Sequence, residues 1–278
     1  MTEVKKNGLV IQEKDLGEND KLLTILVERY GKMFVVAKGA KSVRNRHMAS
    51  SQLFSYATFG LRKRGNYYYI TDSDLIESYY EIRTDITKLA LASFVCDVVN
   101  DIVQEGNCED DILKLALNTF YAIAKNVKPL EHIRAAFELR IAVIAGFTPN
   151  LESCMNCGED SLKSAYFDLV DGVIYCEKCK NNLFYANVEN AFLERGLAKP
   201  IENLTESVIA AVKYVINARP ERFLSFNLHQ DEAPLFYNVC EKFLLNQLER
   251  GFYSLSFYKS ILWRKGKKCI ILTSQHEY

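Results

Sequence analysis

A chain of 278 residues is long enough for two domains, or one large one, each with its own hydrophobic core. Hydrophobic residues at 49% and charged residues at 25% exclude a disordered chain, and no apolar run reaches the ~18 residues that a membrane-spanning helix needs. The 35 basic and 35 acidic residues cancel, so attraction to a charged partner has to come from a local concentration of one sign.

At the N-terminus, MTEVKKNGLVIQEKD carries an apolar patch only from Gly8 to Ile11, too short for the core of a secretory signal, which predicts a soluble, intracellular protein. Residues 1 to about 80 alternate short apolar runs (NGLVIQE, KLLTILVER, MFVVAKG, QLFSYATFGLRK, YYYIT) with the turn signals DLGEND, YGK and Arg64-Gly65-Asn66. Spacing of this kind predicts about five strands. Five strands in some 80 residues leave exposed edges unless the sheet closes, and the small barrel that suits this length is the OB-fold.

After residue 80 the period changes. In TKLALASFVCDVVNDIV the apolar positions Leu89, Ala92, Val95, Cys96, Val99, Ile102 and Val103 recur at helical spacing, with Leu91, Phe94 and Val98 widening the stripe until most sides are apolar. DDILKLALNTFYAIAKNV predicts a second helix with Asp110 and Asp111 in its first turn, and PLEHIRAAFELRIAVIAG a third, started by Pro129 and stopped by Gly146. Further helical patterns fall around 188–198, 205–217 and 233–250. The predicted fold is therefore α+β and multidomain, with an OB barrel over 1–80 and a mainly helical domain over 81–278.

A different kind of segment interrupts that helical domain. Cys154-x-x-Cys157 and Cys176-x-x-Cys179 are separated by eighteen residues, the spacing of a zinc site in which each turn supplies two thiolates to one tetrahedral ion. Gly158 is suited to the positive φ such a turn uses, and Asp171-Gly172 between the strand-like SAYFDL and VIYC predicts a hairpin that brings the pairs face to face. This reads as a four-cysteine zinc ribbon inserted at 152–182, holding one structural Zn2+. A redox dithiol or two disulfides are the alternatives. Cys96, Cys108, Cys240 and Cys269 are scattered, as buried thiols are.

Positive charge is gathered in the barrel. From Arg29 to Thr71 there are nine lysines and arginines (Arg29, Lys32, Lys38, Lys41, Arg44, Arg46, Arg62, Lys63 and Arg64) and no acidic residue. Phe54 with Tyr56, and Tyr67 with Tyr69, each share a strand face by period-2 alternation. Cations that track phosphates beside rings on which bases stack are what single-stranded nucleic acid requires. The same charges fit a solvated loop, and half the rings belong to a core, so the loop VVAKGAKSVRNRH carries more weight. There Gly39, Ser42 and Asn45 keep the chain small and mobile, and Arg44 and Arg46 flank Asn45. A second acid-free patch, Lys259, Arg264, Lys265, Lys267 and Lys268 around Trp263, fits a docking surface, a DNA surface or a solvated tail.

Catalytic motifs are missing. GAKS at 39–42 lacks both the Gly-Lys pair and the upstream glycine of a phosphate loop, and no G-x-G-x-x-G, G-x-S-x-G or His-Glu-x-x-His occurs. The chain is expected not to be an enzyme. A nuclease, which would cleave DNA with a divalent metal, is the outlying reading.

Two stretches carry a family resemblance. DLGENDKLLTILVERYGKMFVVAKGAKSVRNR at 15–46 resembles the N-terminal signature of the bacterial recombination mediator family RecO, and FELRIAVIAGFTPNLESCMNCG at 137–158 is similar to that family's helix end and first zinc knuckle. The resemblance implies a cytoplasmic, nucleoid-associated repair accessory. Such a protein binds single- and double-stranded DNA, anneals complementary strands, works with RecR, contacts the C-terminal tail of SSB, and so helps RecA onto SSB-coated strands. Lys38, Lys41, Arg44 and Arg46 match the family's basic loop, with Arg62, Lys63 and Arg64 added from the charge pattern; Cys154, Cys157, Cys176 and Cys179 match its zinc-bearing members. The competing class is a zinc-ribbon scaffold whose basic barrel docks an acidic protein.

Overall fold

The alternation in the first 80 residues builds five strands in the computed structural model, which describes residues 3–106, 110–181 and 200–273, with side chains as far as residue 264. They are β1 (Glu3–Leu16), β2 (Asp20–Val27), β3 (Gly31–Ala37), β4 (Tyr56–Arg64) and β5 (Tyr67–Glu77). The order β1-β2-β3-β5-β4 closes a barrel of the expected OB-like kind, with β3 and β5 as its parallel pair. Inward positions alternate along each strand: Leu23, Ile25 and Val27 from β2, Met33 and Val35 from β3, and Ala57, Phe59 and Leu61 from β4 fill the interior.

Closure depends on β1, which pairs with β4 through Glu3–Leu9 and with β2 through Gly8–Leu16. The strand changes partners at Gly8. A Cβ there would stand 2.4 Å from Ile25 Cγ2, so the crossing admits only glycine without a shift of the core. At the other end of the barrel, Gly65 at φ 59° turns β4 into β5 through the two residues Gly65-Asn66, as the Gly-Asn signal predicts.

The helices follow the predicted stripes. A single turn α1 (Tyr80–Arg83) leads into α2 (Ile86–Ile102), α3 (Asp110–Lys125) and α4 (Leu130–Ile144). Asp85 caps α2, accepting from the Thr87 and Lys88 backbone N–H groups at 2.6 and 3.2 Å. Gly146, at φ 98°, ends α4 where a C-terminal cap is expected. Then come α5 (Glu206–Asn217), α6 (Ala233–Gln247) and α7 (Tyr253–Thr273). The helix expected at 188–198 lies outside the described residues. The C-terminal basic stretch continues α7, whose first turns are anchored by buried Leu255 and Tyr258, and Trp263 on it is 62% exposed.

Compactness groups residues 1–130 with 252–278 in one unit and residues 131–251 in another, whereas the change from strands to helices falls at residue 80. In the first unit α2 packs against β1, α3 and α7, and buries Leu91, Phe94, Val95, Val98 and Val99. The second unit holds α4, α5, α6 and a three-stranded sheet of β6 (Ser164–Asp168), β7 (Val173–Tyr175) and β8 (Ile201–Thr205) in the order β7-β6-β8. In its core Arg134, 2% exposed, grips the fully buried Glu138 at 2.7 and 2.9 Å and Glu241 at 2.9 Å. Cys96 and Cys240 are buried thiols, as expected.

Candidate nucleic-acid interface and metal centre

The candidate metal centre is built around the β6–β7 hairpin. Tyr166 pairs with Tyr175 and Asp168 with Val173, leaving Leu169 to Gly172 as the turn. Asp171-Gly172 does mark that turn, but Asp168 ties it: its buried carboxylate accepts from the backbone N–H groups of Val170 and Asp171 at 2.9 and 3.1 Å. Across the hairpin, Met155 N–H donates to Ile174 O at 2.9 Å, setting the first Cys-x-x-Cys turn beside the second. Gly158 adopts φ 76°, the conformation for which it is suited.

The result is convergence of all four sulfurs within 4.8 Å of one another, a cluster able to hold a metal ion. Cys157 Sγ and Cys176 Sγ are 3.8 Å apart. Donors surround them: Cys176 N–H reaches Cys154 Sγ at 3.3 Å, Cys179 N–H reaches Cys176 Sγ at 3.5 Å, and Asn156 Nδ2 reaches Cys179 Sγ at 3.4 Å. Burial opposes ionisation of Cys154, yet backbone N–H groups of Cys176, Cys157 and Asn156 outweigh it and bring the thiol down to about 6. For Cys157 a backbone N–H at Glu159 favours the thiolate, but the sulfurs of Cys154 and Cys179 push it up to about 12. Four thiols so crowded cannot all ionise without a cation among them.

Eight of the nine barrel cations divide into groups that the sequence does not separate. Lys32 is committed to the fold, donating to Asn100 O at 2.8 Å. Lys41 donates to Gly17 O at 2.9 Å and pairs with Asp15 at 3.1 Å. Arg46 donates to Thr71 O at 2.7 Å and lies 4.0 Å from Asp72, and Arg62 lies 3.5 Å from Glu3. Among the described residues no carboxylate pairs with Lys38, Arg44, Lys63 or Arg64. Lys38 and Arg64 each stand 5.7 Å from the centre of the Tyr69 ring, and Lys63 stands 5.8 Å from that of Tyr68.

The loop that carries Lys38 to Arg46 is expected to be small and mobile; its small residues instead close turns. Gly39, at φ 64°, donates its N–H to Asp20 at 2.8 Å, and Lys41 N–H reaches Asn19 O at 3.2 Å, fastening the loop to the β1–β2 turn. Asn45 donates to Lys38 O and accepts from His47 N–H, at 2.8 and 2.7 Å. Arg46 Nε donates to His47 Nε2 at 3.0 Å, and an arginine has no acceptor, so the imidazole proton sits on Nδ1 and is donated to Ser73 at 2.7 Å. Burial first and the Arg46 charge second lower the pKa of His47 below 6.5, keeping it neutral. His47 is thus a clamp between loop and β5.

The aromatic prediction needs one correction. Phe54 is not on a strand face: it precedes β4 at φ 69°, is 1% exposed, and packs edge-on against Phe120 at 5.4 Å. Tyr68 and Ile70 turn into the barrel, which puts Tyr67 and Tyr69 on its outer face as the alternation requires. Sequence reasoning misses Asp15, Asp72 and Ser73, whose roles arise only through strand pairing.

Residues 1–79 match the family described as Recombination protein O N terminal, and residues 83–187 match Recombination protein O C terminal. A protein of Acetivibrio thermocellus named DNA repair protein RecO is 30% identical over 262 residues, 94% of this chain and 98% of that protein. Proteins of the same name from Thermoanaerobacter sp. (26% over 260 residues, 93% of this chain and 98% of that protein) and Alkaliphilus metalliredigens (31% over 176 residues, 63% and 72%) are also similar. With barrel, helices and cysteine cluster all inside a match that runs nearly end to end, the chain belongs to the RecO family.

Proposed function

We propose that the chain is a non-catalytic DNA repair accessory that binds single- and double-stranded DNA through its barrel, anneals complementary strands and, with RecR, helps load RecA onto SSB-coated single strands. The observation that carries this is the set of cations without carboxylate partners among the described residues, Lys38, Arg44, Lys63 and Arg64, delivered by the loop after β3 and by the end of β4. Annealing requires that two phosphate backbones be brought together while base edges stay free. Lysine and arginine contacts to backbone, without base readout, meet that requirement. The barrel of residues 1–80 holds DNA, and the helical part from 81 to 278 engages proteins, the SSB tail among them. The names of the relatives support the repair setting.

The metal is structural Zn2+, held by Cys154, Cys157, Cys176 and Cys179. A tetrahedron with bonds of ~2.3 Å has sulfur–sulfur edges of about 3.8 Å, which is the kind of spacing the cluster supplies. Four thiolates leave no position for water, so the ion organises the ribbon and takes no part in chemistry.

The test is fluorescence-anisotropy binding to a single-stranded oligonucleotide across a salt series, parent against Lys38, Lys41, Arg44 and Arg46 all changed to Ala. The magnitude of the log–log slope should fall by at least about 1.4, two phosphate contacts at about 0.7 each. An unchanged slope in a folded variant would remove the loop from the DNA site. Met155 and Val170, 63% and 47% exposed on the ribbon, favour a second reading in which the protein is a scaffold and the barrel meets an acidic partner. Weak, salt-insensitive DNA binding would go with that reading.

A further inference from the structure

Tyr69 occupies an unusual place on the outer face of the barrel. In the sheet register it lies beside Val36 of β3 on one side and Arg62 of β4 on the other. Two residues beyond each of those come Lys38 and Arg64, which therefore reach the ring from opposite flanking strands, each 5.7 Å from its centre. Neither cation has a carboxylate partner among the described residues. Tyr67, 44% exposed, stands on the same face about 7 Å along the strand.

Tyr69 is itself half-buried on this face, and an aromatic ring presented on a sheet surface is a stacking platform for any base, because every base has a π-face. Here the two cations cap the platform through a contact that is weak at an exposed site, so a base can displace them. Once displaced they remain tethered within reach of the phosphates on either side of the stacked base. A paired base inside a duplex offers no face to the ring. The arrangement therefore discriminates by strandedness and not by sequence.

Resting on the DNA-binding reading above, we infer that Tyr69 is the base-stacking residue that gives the barrel its preference for unpaired strands, with Lys38 and Arg64 turning from its ring onto the flanking phosphates.

The experiment compares the full-length parent with Tyr69→Ala, Tyr69→Phe and Tyr69→Trp for binding to a single-stranded oligonucleotide and to a duplex of equal length, each across a salt series. Tyr69→Ala should weaken single-strand binding by about 5- to 100-fold, with the salt slope and the duplex affinity unchanged, while Phe and Trp bind as the parent does. Equal loss on both nucleic acids, or a reduced slope, would overturn the inference and leave Tyr69 as a support for the two cations. Should Tyr69→Ala fail to fold, a 2-aminopurine base in the oligonucleotide decides the matter with the parent alone: stacking quenches its emission on binding, and unchanged emission at every position overturns the inference. If the four-residue loop variant loses its slope and Tyr69→Ala binds like the parent, this inference alone fails. If the parent shows no salt-dependent binding, the DNA-binding reading fails with it.

Discussion

The four cations of the 38–46 loop are not equivalent, and splitting them tests the proposed interface more sharply than removing all four. Lys41 and Arg46 already lie beside Asp15 at 3.1 Å and Asp72 at 4.0 Å, whereas Lys38 and Arg44 have no such neighbour among the described residues. An arginine or lysine that leaves a carboxylate for a phosphate sets the carboxylate free to repel the same backbone. Lys38→Ala/Arg44→Ala should therefore lower the magnitude of the salt slope on single-stranded DNA by about 1.4, two contacts at about 0.7 each, and Lys41→Ala/Arg46→Ala by less than about 0.7. The reciprocal change follows. Exposed pairs contribute roughly 0.2–1 kcal/mol each, so Asp15→Asn/Asp72→Asn, which frees both cations at once, should tighten binding by about 0.4–2 kcal/mol, a factor of about 2–30 at low salt. Anisotropy titrations at four or five salt concentrations read both quantities. Equal slope losses for the two double-alanine variants, with no gain from the asparagine pair, would refute the division of the loop.

Replacing any one of the four ligand cysteines by Ser, Cys176→Ser for instance, should release one equivalent of zinc as measured by metal analysis, and limited proteolysis should then cut between residues 150 and 180 while the barrel persists. Gly8→Ala should cost about 1–3 kcal/mol in urea unfolding, because its Cβ would meet Ile25 Cγ2 at 2.4 Å; adding Ile25→Leu, which lacks that methyl, should recover part of the loss where Ile25→Val does not. Burial pushes Glu138 up to about 8 from its ordinary 4.5, since Glu241 and Glu131 share the Arg134 guanidinium that opposes the shift. The folded chain then holds a proton that the unfolded chain has already lost, so stability should fall as pH rises from about 4.5 to 8, and Glu138→Gln should flatten that limb of the stability profile.

How much of the molecule is legible in its sequence depends on whether a signal is local. The five strands, the helices α2 to α4 and the cysteine hairpin each rest on a periodicity or spacing contained in some twenty residues, and each stands where expected. β8 does not show itself: of Ile201–Thr205 only Leu204 is buried, so no alternation marks it, and it is a strand because it pairs with β6. α7 is obscured by the lysines that crowd its second half, while its anchors Leu255 and Tyr258 lie upstream of them. Alternation with Tyr56 places Phe54 on a strand face, but its positive φ breaks the alternation and turns the ring toward Phe120.

The basic strip shows the same limit in the site itself. Its acid-free window runs from Arg29 to Thr71 because Glu28 and Asp72 bound it, and a count along the chain treats both edges as outside. Barrel closure brings the edges back: Asp72 sits across from Arg46, and Asp15, well before the window opens, reaches Lys41. The barrel is consequently polarised from one end to the other, because the strand registers put the β1–β2 turn and the β4–β5 turn at opposite ends. At the first end Asp15 of β1, Glu18 of the turn and Asp20 of β2 lie beside the loop, and at the second Lys63 and Arg64 end β4 with no carboxylate partner among the described residues. In the proposed interface phosphates are repelled at the first end and drawn to the second. On the proposed reading a strand therefore crosses the barrel from Lys38 over Tyr69 to Arg64, and its path is fixed as much by the acidic residues that exclude one route as by the basic residues that line the other.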